Sequence, residues 1–178
     1  MMKKEILIHF SFLISFFIFV SLARDWFSLS LWPLWVGGLI GTLLPDIDHL
    51  LYIYFLRPQE LTSQRALYML GKREVFKMVE LLAETRHERT KLIFHTAIFQ
   101  IIFLVFSFLV ITSSGSVFGR GMVLAFMLHL IIDQIVDLME TDSLQNWFKQ
   151  TPIVLDKQKT RLYWLANLGV LFLFGFLL

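Results

Sequence analysis

The sequence predicts an all-α integral membrane protein with about five transmembrane helices and one cytoplasmic amphipathic helical segment. Of its 178 residues, 57% are hydrophobic, including 19 Phe and 5 Trp, whereas a soluble domain is about 45–50% apolar. The mean hydropathy is +0.69. Several apolar runs approach the length of about 20 residues that a helix needs to cross a bilayer. We therefore expect residues 1–178 to form a single membrane-embedded helical domain.

The first predicted span is the apolar run Ile6–Ala23, which follows a short basic start. Its length suits a transmembrane helix. The sequence Ser21–Ala23 also resembles a signal-peptidase site, so a cleaved signal peptide is the alternative interpretation. The length of the run and the presence of His9 within it favour the span.

The second span begins at Leu29, and Pro45 lies within it. Pro45 lacks an N–H and disfavours a helical conformation at Leu44, so we expect the helix to break there. The apolar segment His49–Leu56 then completes the span or forms a re-entrant segment. Before the break lies a small-residue face that permits close helix packing, formed by Gly37, Gly38 and Gly41.

The polar stretch Arg57–Lys91 separates the second span from the third. Its apolar residues recur near helical spacing, which predicts an amphipathic helix on the membrane surface. A solvated helical hairpin is the alternative. The later apolar runs Leu92–Thr112, Gly121–Met139 and Arg161–Leu178 predict the remaining three spans.

The placement of Lys and Arg predicts the orientation. With five spans and a cytoplasmic N-terminus, every Lys and Arg except Arg24 and Arg120 falls on the cytoplasmic side, as the positive-inside rule requires. We therefore expect a bacterial-type cytoplasmic membrane, with the N-terminus in the cytoplasm and the C-terminus outside. The small net charge of +2 does not suggest a nucleic-acid partner.

Ionisable residues in or beside the apolar runs predict a divalent metal site, because such residues are costly in hydrocarbon and usually functional. In the five-span topology they all lie toward the cytoplasmic half of the bilayer. Cysteine is absent, so His nitrogens and carboxylate oxygens would hold the metal, which suits Zn²⁺ and is compatible with Mn or Fe. The set could hold one Zn²⁺ or two metals that share a carboxylate. The candidate ligands are His9, Asp46, Asp48, His49, His95, His129 and Asp133.

One pair of candidates lies on a predicted helix. His129 and Asp133 are four residues apart and therefore share a helix face, which is the spacing of helix-borne zinc ligands. The alternative for such a pair is a structural hydrogen bond. Asp137 continues the same stripe, where it could orient a His N–H or be hydrated.

The other candidates come from separate segments. Asp46 after a proline could be an ordinary helix N-cap, but two Asp and one His within Asp46–His49 exceed what a cap needs. His95 and His9, each taken alone, could be buried imidazoles without a metal. Their common depth in the five-span topology favours one shared site.

Four motifs then occur in a specific order: His9, the segment Leu44–His49, the basic Lys91 shortly before His95, and Gly121–Leu124 followed by His-x-x-x-Asp. This order resembles the YdjM-type family of inner-membrane metal-dependent hydrolases. The resemblance extends over residues 6 to 140, with the second and fourth motifs matching best. It implies a membrane-bound hydrolase with a divalent metal.

The third motif departs from that family, which has His-Arg-x-x-Thr-His-Ser at this point. Here Thr90 stands in place of the first His and Lys91 in place of the Arg. His87, eight residues before His95, is the candidate to replace the missing His. The region after Glu140 does not match the family.

The chemistry expected of such a site is hydrolysis by metal-activated water, because a metal lowers the pKa of its water to about 7 and stabilises charge on a substrate oxygen. Asp46 or Asp137 is the candidate general base. Arg89 and Lys91 could bind a phosphate, or could serve only as positive-inside anchors.

The substrate expectation follows from the location and from a second resemblance. The scattered His and Asp with His-x-x-x-Asp are similar to the pattern of zinc-dependent phospholipase C, which suggests phosphoester chemistry. A site at inner-leaflet depth suggests a membrane lipid or a lipid-linked substrate. An ion, proton or metal transporter, or a non-catalytic membrane protein with a structural metal, are the alternatives.

Overall fold

The computed structural model describes residues 2–26, 28–89 and 91–178, with the exception of the side chains of residues 2–5 and of His87. Every regular element in this part of the chain is helical. Short 3₁₀ turns cover Leu29–Leu31, Arg86–Glu88 and Gln145–Phe148, and Tyr52–Leu56 is π-helical. The α-helices are α1 (Met2–Ala23), α2 (Trp32–Leu43), α3 (Ile47–Leu51), α4 (Leu61–Gly71), α5 (Val75–Glu84), α6 (Ala97–Ser113), α7 (Val117–Thr141) and α8 (Lys157–Leu177).

Four helical stretches are long and apolar enough to cross a membrane, namely Ile6–Ala23, Leu29–Leu56, Val117–Thr141 and Lys157–Leu177. The prediction of an all-helical chain with membrane-length apolar helices is therefore confirmed. Helix α6 is also apolar but has only 17 residues, which is the lower end of the range of about 17–25 that a span needs. The fifth span stays a prediction.

Helix α7 is the centre of the fold. Its residues from Val123 to Gln134 are buried without interruption, and α1, α2, α6 and α8 all contact it. A helix that is apolar and buried on every side needs neighbours all round. Any polar residue in this stretch of α7 is therefore forced to find its partner inside the protein.

Small residues hold α2 against α7. A Cβ atom on Gly41 would lie 2.1 Å from the Met122 carbonyl oxygen, and one on Gly121 would lie 2.2 Å from the Leu34 carbonyl oxygen. Real Cβ atoms do not approach a carbonyl this closely, so only glycine permits the packing. The predicted small-residue face thus fixes how α2 packs along the first turns of α7.

The helix is interrupted at Pro45, but the backbone stays close to helical on both sides of the proline. Helix α2 ends at Leu43 and α3 begins at Ile47. Leu44 keeps helical dihedral angles of φ −61° and ψ −41°, so the expectation that it leaves the helical region was wrong. Successive i→i+3 bonds, such as the amide of Asp48 to the Pro45 carbonyl at 3.0 Å, replace the α-helical bond that proline cannot donate.

Helix α6 begins at Ala97, five residues later than the predicted start of the span at Leu92. The preceding amides of Ile93 and Phe94 donate to the Asp48 carboxylate at 3.0 and 2.6 Å instead of joining a helix. Thr96 then caps α6, because its hydroxyl accepts from the amide of Phe99.

The polar stretch Arg57–Lys91 forms two helices that pack against each other, α4 and α5, rather than one. Arg73 takes a left-handed conformation with φ 61° in the turn between them. On α5 an apolar stripe alternates with charged residues, as expected for an amphipathic helix. Its position relative to a membrane surface stays a prediction.

Helix α8 is tied to the end of α7 outside the apolar stretches. Asp142 ends α7 with φ 55°, and the Lys157 ammonium donates a hydrogen bond to its carboxylate. This hydrogen bond lowers the pKa of Asp142 below its ordinary value.

Candidate metal centre

The carboxylate of Asp133 lies at the centre of a group of histidines. The group occupies the middle of α7, where Asp133 and His129 are each 2% exposed. His129 lies one turn before Asp133, and its Nε2 is 3.3 Å from Asp133 Oδ2. The His95 ring adds its Nε2 at 2.9 Å from the same oxygen.

Helix α1 contributes the third member of a possible ligand set. His9 Nε2 is 3.4 Å from Asp133 Oδ1, and the His9 and His129 rings lie with their centroids 4.1 Å apart. One ligand atom from each of His9, His129 and Asp133 falls within 4.8 Å of the others, and all three residues are buried. This group could hold a metal ion.

The separations in this group suit a small divalent ion. A tetrahedral zinc with bonds of about 2.0–2.1 Å places neighbouring ligand atoms roughly 3.3 Å apart. His9 lies 3.4 Å from one oxygen of Asp133, and His129 lies 3.3 Å from the other. Neither ring nitrogen of His129 has a hydrogen bond of normal geometry among the described residues. Buried polar atoms normally have a hydrogen-bond partner, so a buried imidazole without one is suited to bind an ion or a water.

Asp48 lies behind His95, and its carboxylate is fully buried. One oxygen accepts the amide of Ile93, and the other accepts the amides of Phe94 and His95 at 2.6 and 3.3 Å. The same oxygen lies 3.1 Å from His95 Nδ1. A carboxylate on one imidazole nitrogen fixes the tautomer and aims the other nitrogen, which here is the one that faces Asp133.

His49 and Arg89 form a further layer beside His95. The His49 and His95 rings stack with centroids 5.3 Å apart, and Arg89 Nε donates to His49 Nδ1 at 3.1 Å. Arg89 is only 5% exposed and also donates to Thr85 and to the Leu82 carbonyl. These contacts place Arg89 beside the site, whereas Lys91 is exposed.

The two candidate bases occupy different surroundings. Asp46 is 57% exposed at its side chain, and its Oδ1 is 3.7 Å from His129 Nε2. Asp137 is largely buried, accepts the Trp147 indole N–H at 2.7 Å, and pairs with Arg86 at 3.4 Å. Asp46 lines the large cleft described below, and Asp137 lines a small cavity on the other side of Arg86.

Arg86 is the member of the site that the sequence analysis missed. Its guanidinium donates to Asp133 Oδ1 at 2.9 Å and lies 3.4 Å from Asp137 Oδ1, so it bridges two turns of α7. No motif marks it, since it is one of many basic residues in a polar stretch and lies 47 positions from Asp133. The side chain of His87 and residue Thr90, which the family comparison singled out, lie outside the described residues.

A cleft of about 450 Å³ opens onto this group. The side chains of His9, His129 and Asp133 form its polar end, together with neighbours from the Pro45 turn and from the segment after α5. Apolar side chains from α1, α2, α3 and α5 form the rest of the lining. The polar lining residues are His9, Thr42, Asp46, His49, Arg86, Arg89, His129 and Asp133.

No protein-family model matches the chain, and comparisons with curated proteins and with solved structures find no match. The fold and the site therefore define the class. The protein is all-helical in its described part, has four helices able to cross a membrane, and carries a buried His and Asp group that could hold a metal ion. The ligand, base and phosphate-binding roles assigned from the sequence stay predictions.

Proposed function

We propose that the protein is a membrane-bound, metal-dependent hydrolase that activates water to cleave a phosphoester of a lipid-like substrate. The observation that carries the proposal is the convergence of His9, His129 and Asp133 at the polar end of a cleft whose other walls are apolar. A divalent metal supplies two things to such a reaction: a water with a pKa near 7, and stabilisation of charge on a phosphoryl oxygen.

The charges around the site support a resident cation. Four carboxylates surround the site, those of Asp46, Asp48, Asp133 and Asp137, whereas the cations beside them are the guanidinium groups of Arg86 and Arg89 and the imidazolium of His95, which contacts both Asp48 and Asp133. Uncompensated charge is costly in a low-dielectric interior. One divalent ion at the His and Asp group would offset the excess.

The residues divide into holding, positioning and proton-accepting roles in this proposal. His9, His129 and Asp133 hold the metal, and Asp48 orients His95 toward it. Asp46 is the better-placed general base, because it lines the cleft and its carboxylate is more than half exposed. Asp137 is engaged by Trp147 and Arg86.

We also propose the orientation and the family suggested by the sequence. Placing the site toward the cytoplasmic half of a bacterial-type membrane follows from the distribution of Lys and Arg, with the N-terminus inside and the C-terminus outside. It would present the cleft to the inner leaflet. Membership of the YdjM-type family rests on the motif order, including Leu44–His49.

The deciding experiment is the metal content of the purified full chain. We expect about one equivalent of zinc, manganese or iron in the natural protein, and its loss in His129→Ala and Asp133→Ala. Asp142→Asn, an exposed aspartate at the end of α7, serves as the matched control and should keep its metal. The metal-loaded protein is then assayed on lipid phosphates and phosphodiesters with and without chelator. Absence of metal in every sample after reconstitution would remove the proposal.

A proton or ion path is the second candidate, and one observation favours it. A chain of contacts between titratable groups runs from Asp48 through His95 to Asp133, whose carboxylate also lies near His9 and His129. Such a chain could relay protons. Flux in proteoliposomes without any hydrolysis would favour this path, and unfolding on chelation without flux or hydrolysis would favour a structural metal.

A further inference from the structure

We propose that the apolar part of the cleft binds one hydrocarbon chain of an anionic, single-chain amphiphile that enters sideways from the bilayer. The anionic head would lie at the polar end, beside His129 and Asp133. The proposal deepens the proposed function by naming the substrate class, and it rests on that function only for the chemistry at the head.

One wall of the cleft is the apolar stripe of α5. Val75, Met78, Val79 and Leu82 all line it and recur at i, i+3, i+4 and i+7, the spacing of one helix face. Arg86 follows directly after this helix. From Leu82 back to Val75 the wall therefore leads away from the polar end over roughly 10 Å, at about 1.5 Å per residue.

The facing wall consists of apolar side chains that are open to the outside of the bundle. Leu43 is 50% exposed, Ile47 is 41% exposed and Ile6 is 47% exposed, and all three line the cleft. They belong to helical stretches long and apolar enough to cross a membrane. An opening between such residues faces hydrocarbon rather than water, so a chain can enter from the lipid without crossing a polar surface.

The volume limits the ligand to one chain. At about 30 Å³ for each water-sized group, a cleft of about 450 Å³ has room for roughly 15 such groups. A methylene group is close to a water molecule in size, so one chain of moderate length with a compact head fills the space. A lipid with two long chains exceeds it.

The charge at the polar end selects the head. Arg86 and Arg89 line this end of the cleft together with the carboxylates of Asp46 and Asp133, which offset them. A divalent ion at the His and Asp group would therefore make this end net positive. A compact phosphate head complements this end, because guanidinium groups and divalent metals both bind phosphate oxygens. A quaternary ammonium head does not.

The test is photo-crosslinking of the full chain in phosphatidylcholine nanodiscs with a dodecyl phosphate that carries a diazirine at the chain end. Mass spectrometry then locates the adducts. We expect saturable labelling near Val75, at the far end of the apolar wall, that unlabelled dodecyl phosphate removes. Competition by dioleoyl phosphatidic acid, or by dodecyltrimethylammonium, should be about tenfold weaker because of their size and charge.

Matched tryptophan variants test where the hydrocarbon chain of the ligand lies. Val79→Trp narrows the cleft and should lower the saturable labelling about tenfold, since a filled pocket excludes its ligand. Phe76→Trp, at a position on the same helix that is 83% exposed, should leave it unchanged. Leu43→Trp fills the cleft from the opposite wall and replaces the first variant if that one does not fold.

The outcomes separate this inference from the proposed function. Saturable labelling of the metal-loaded protein, without any hydrolytic activity, supports the binding site for the hydrocarbon chain and contradicts the proposed hydrolase. Labelling that is equal in the cleft and on the exposed α6 residues Ile102 and Val105, and that no competitor reduces, overturns the inference. Equal labelling in Leu43→Trp and the natural protein also overturns it.

Discussion

Replacement of Asp48 by asparagine tests whether this carboxylate positions His95 or binds the metal itself. The side chain is fully buried. Its two oxygens accept the amides of Ile93, Phe94 and His95 and contact His95 Nδ1. Asp48→Asn preserves the size and removes the charge and one acceptor.

The expected cost in stability follows from these contacts. In its better orientation the asparagine keeps its oxygen toward Phe94 and His95 and turns its NH₂ group toward the Ile93 amide, which then has no acceptor. A buried unsatisfied donor costs about 1–3 kcal/mol, and the remaining bonds lose their charge assistance. We expect a total of about 3 kcal/mol, or a melting temperature lower by roughly 6–12 °C for a chain of this length.

The expected effect on metal binding is a reduction without complete loss. Asp48 holds His95, which contacts the proposed ligand Asp133. Removing a group that orients a ligand typically costs about 10–100-fold in affinity, measured here by competition with a chelator. His129→Ala provides the comparison and should abolish binding. If Asp48→Asn abolishes binding as completely as His129→Ala while melting at the natural temperature, Asp48 is a ligand and the positioning argument is refuted.

Three further predictions follow from individual contacts. Gly41→Leu places side-chain atoms on the Met122 carbonyl and should destabilise the protein by about 1–3 kcal/mol or more, whereas Gly71→Leu, with nothing within 4 Å of a Cβ, should not; thermal melts of both decide this. Arg86→Gln removes the cation that contacts Asp133 at 2.9 Å and should tighten metal binding by about tenfold or more, because two like charges near one carboxylate repel; weaker binding in a chelator competition would contradict this reasoning. Gln100→Leu removes the acceptor of both the Gln134 amide and the Tyr163 hydroxyl and should cost about 1–3 kcal/mol, more than Gln134→Leu, which leaves Gln100 bonded to Tyr163; equal losses of the two variants in the melting curves would contradict this.

The sequence predicted the helical, membrane-like fold because composition and run length are local properties. It also predicted the small-residue face, since Gly41 and its neighbours repeat at helical spacing. The start of α6 could not be predicted in this way. The amides of Ile93 and Phe94 leave the helix for Asp48, a residue 45 and 46 positions away, and no local pattern records that contact.

Some residues of the candidate site could also be predicted from the sequence, and others could not. His129 and Asp133 stand out because polar residues interrupt an apolar run, and His9 stands out for the same reason. Arg86 does not stand out, because it lies among other basic residues in a polar stretch. Its role depends on where the hairpin of α4 and α5 lies against α7, which is a tertiary property.

The position of Arg86 also limits how the site can work. Asp133 receives Arg86 on one oxygen and the imidazoles of His95 and His129 on the other. A metal held by His9, His129 and Asp133 would have the Arg86 guanidinium beside its aspartate ligand, facing the same cleft. An anionic head entering that cleft would then meet a cation on each side of Asp133. We therefore expect the metal to bind before the phosphate. Without the metal, a phosphate would lie against two carboxylates, Asp46 and Asp133, with only the guanidinium to offset their charge.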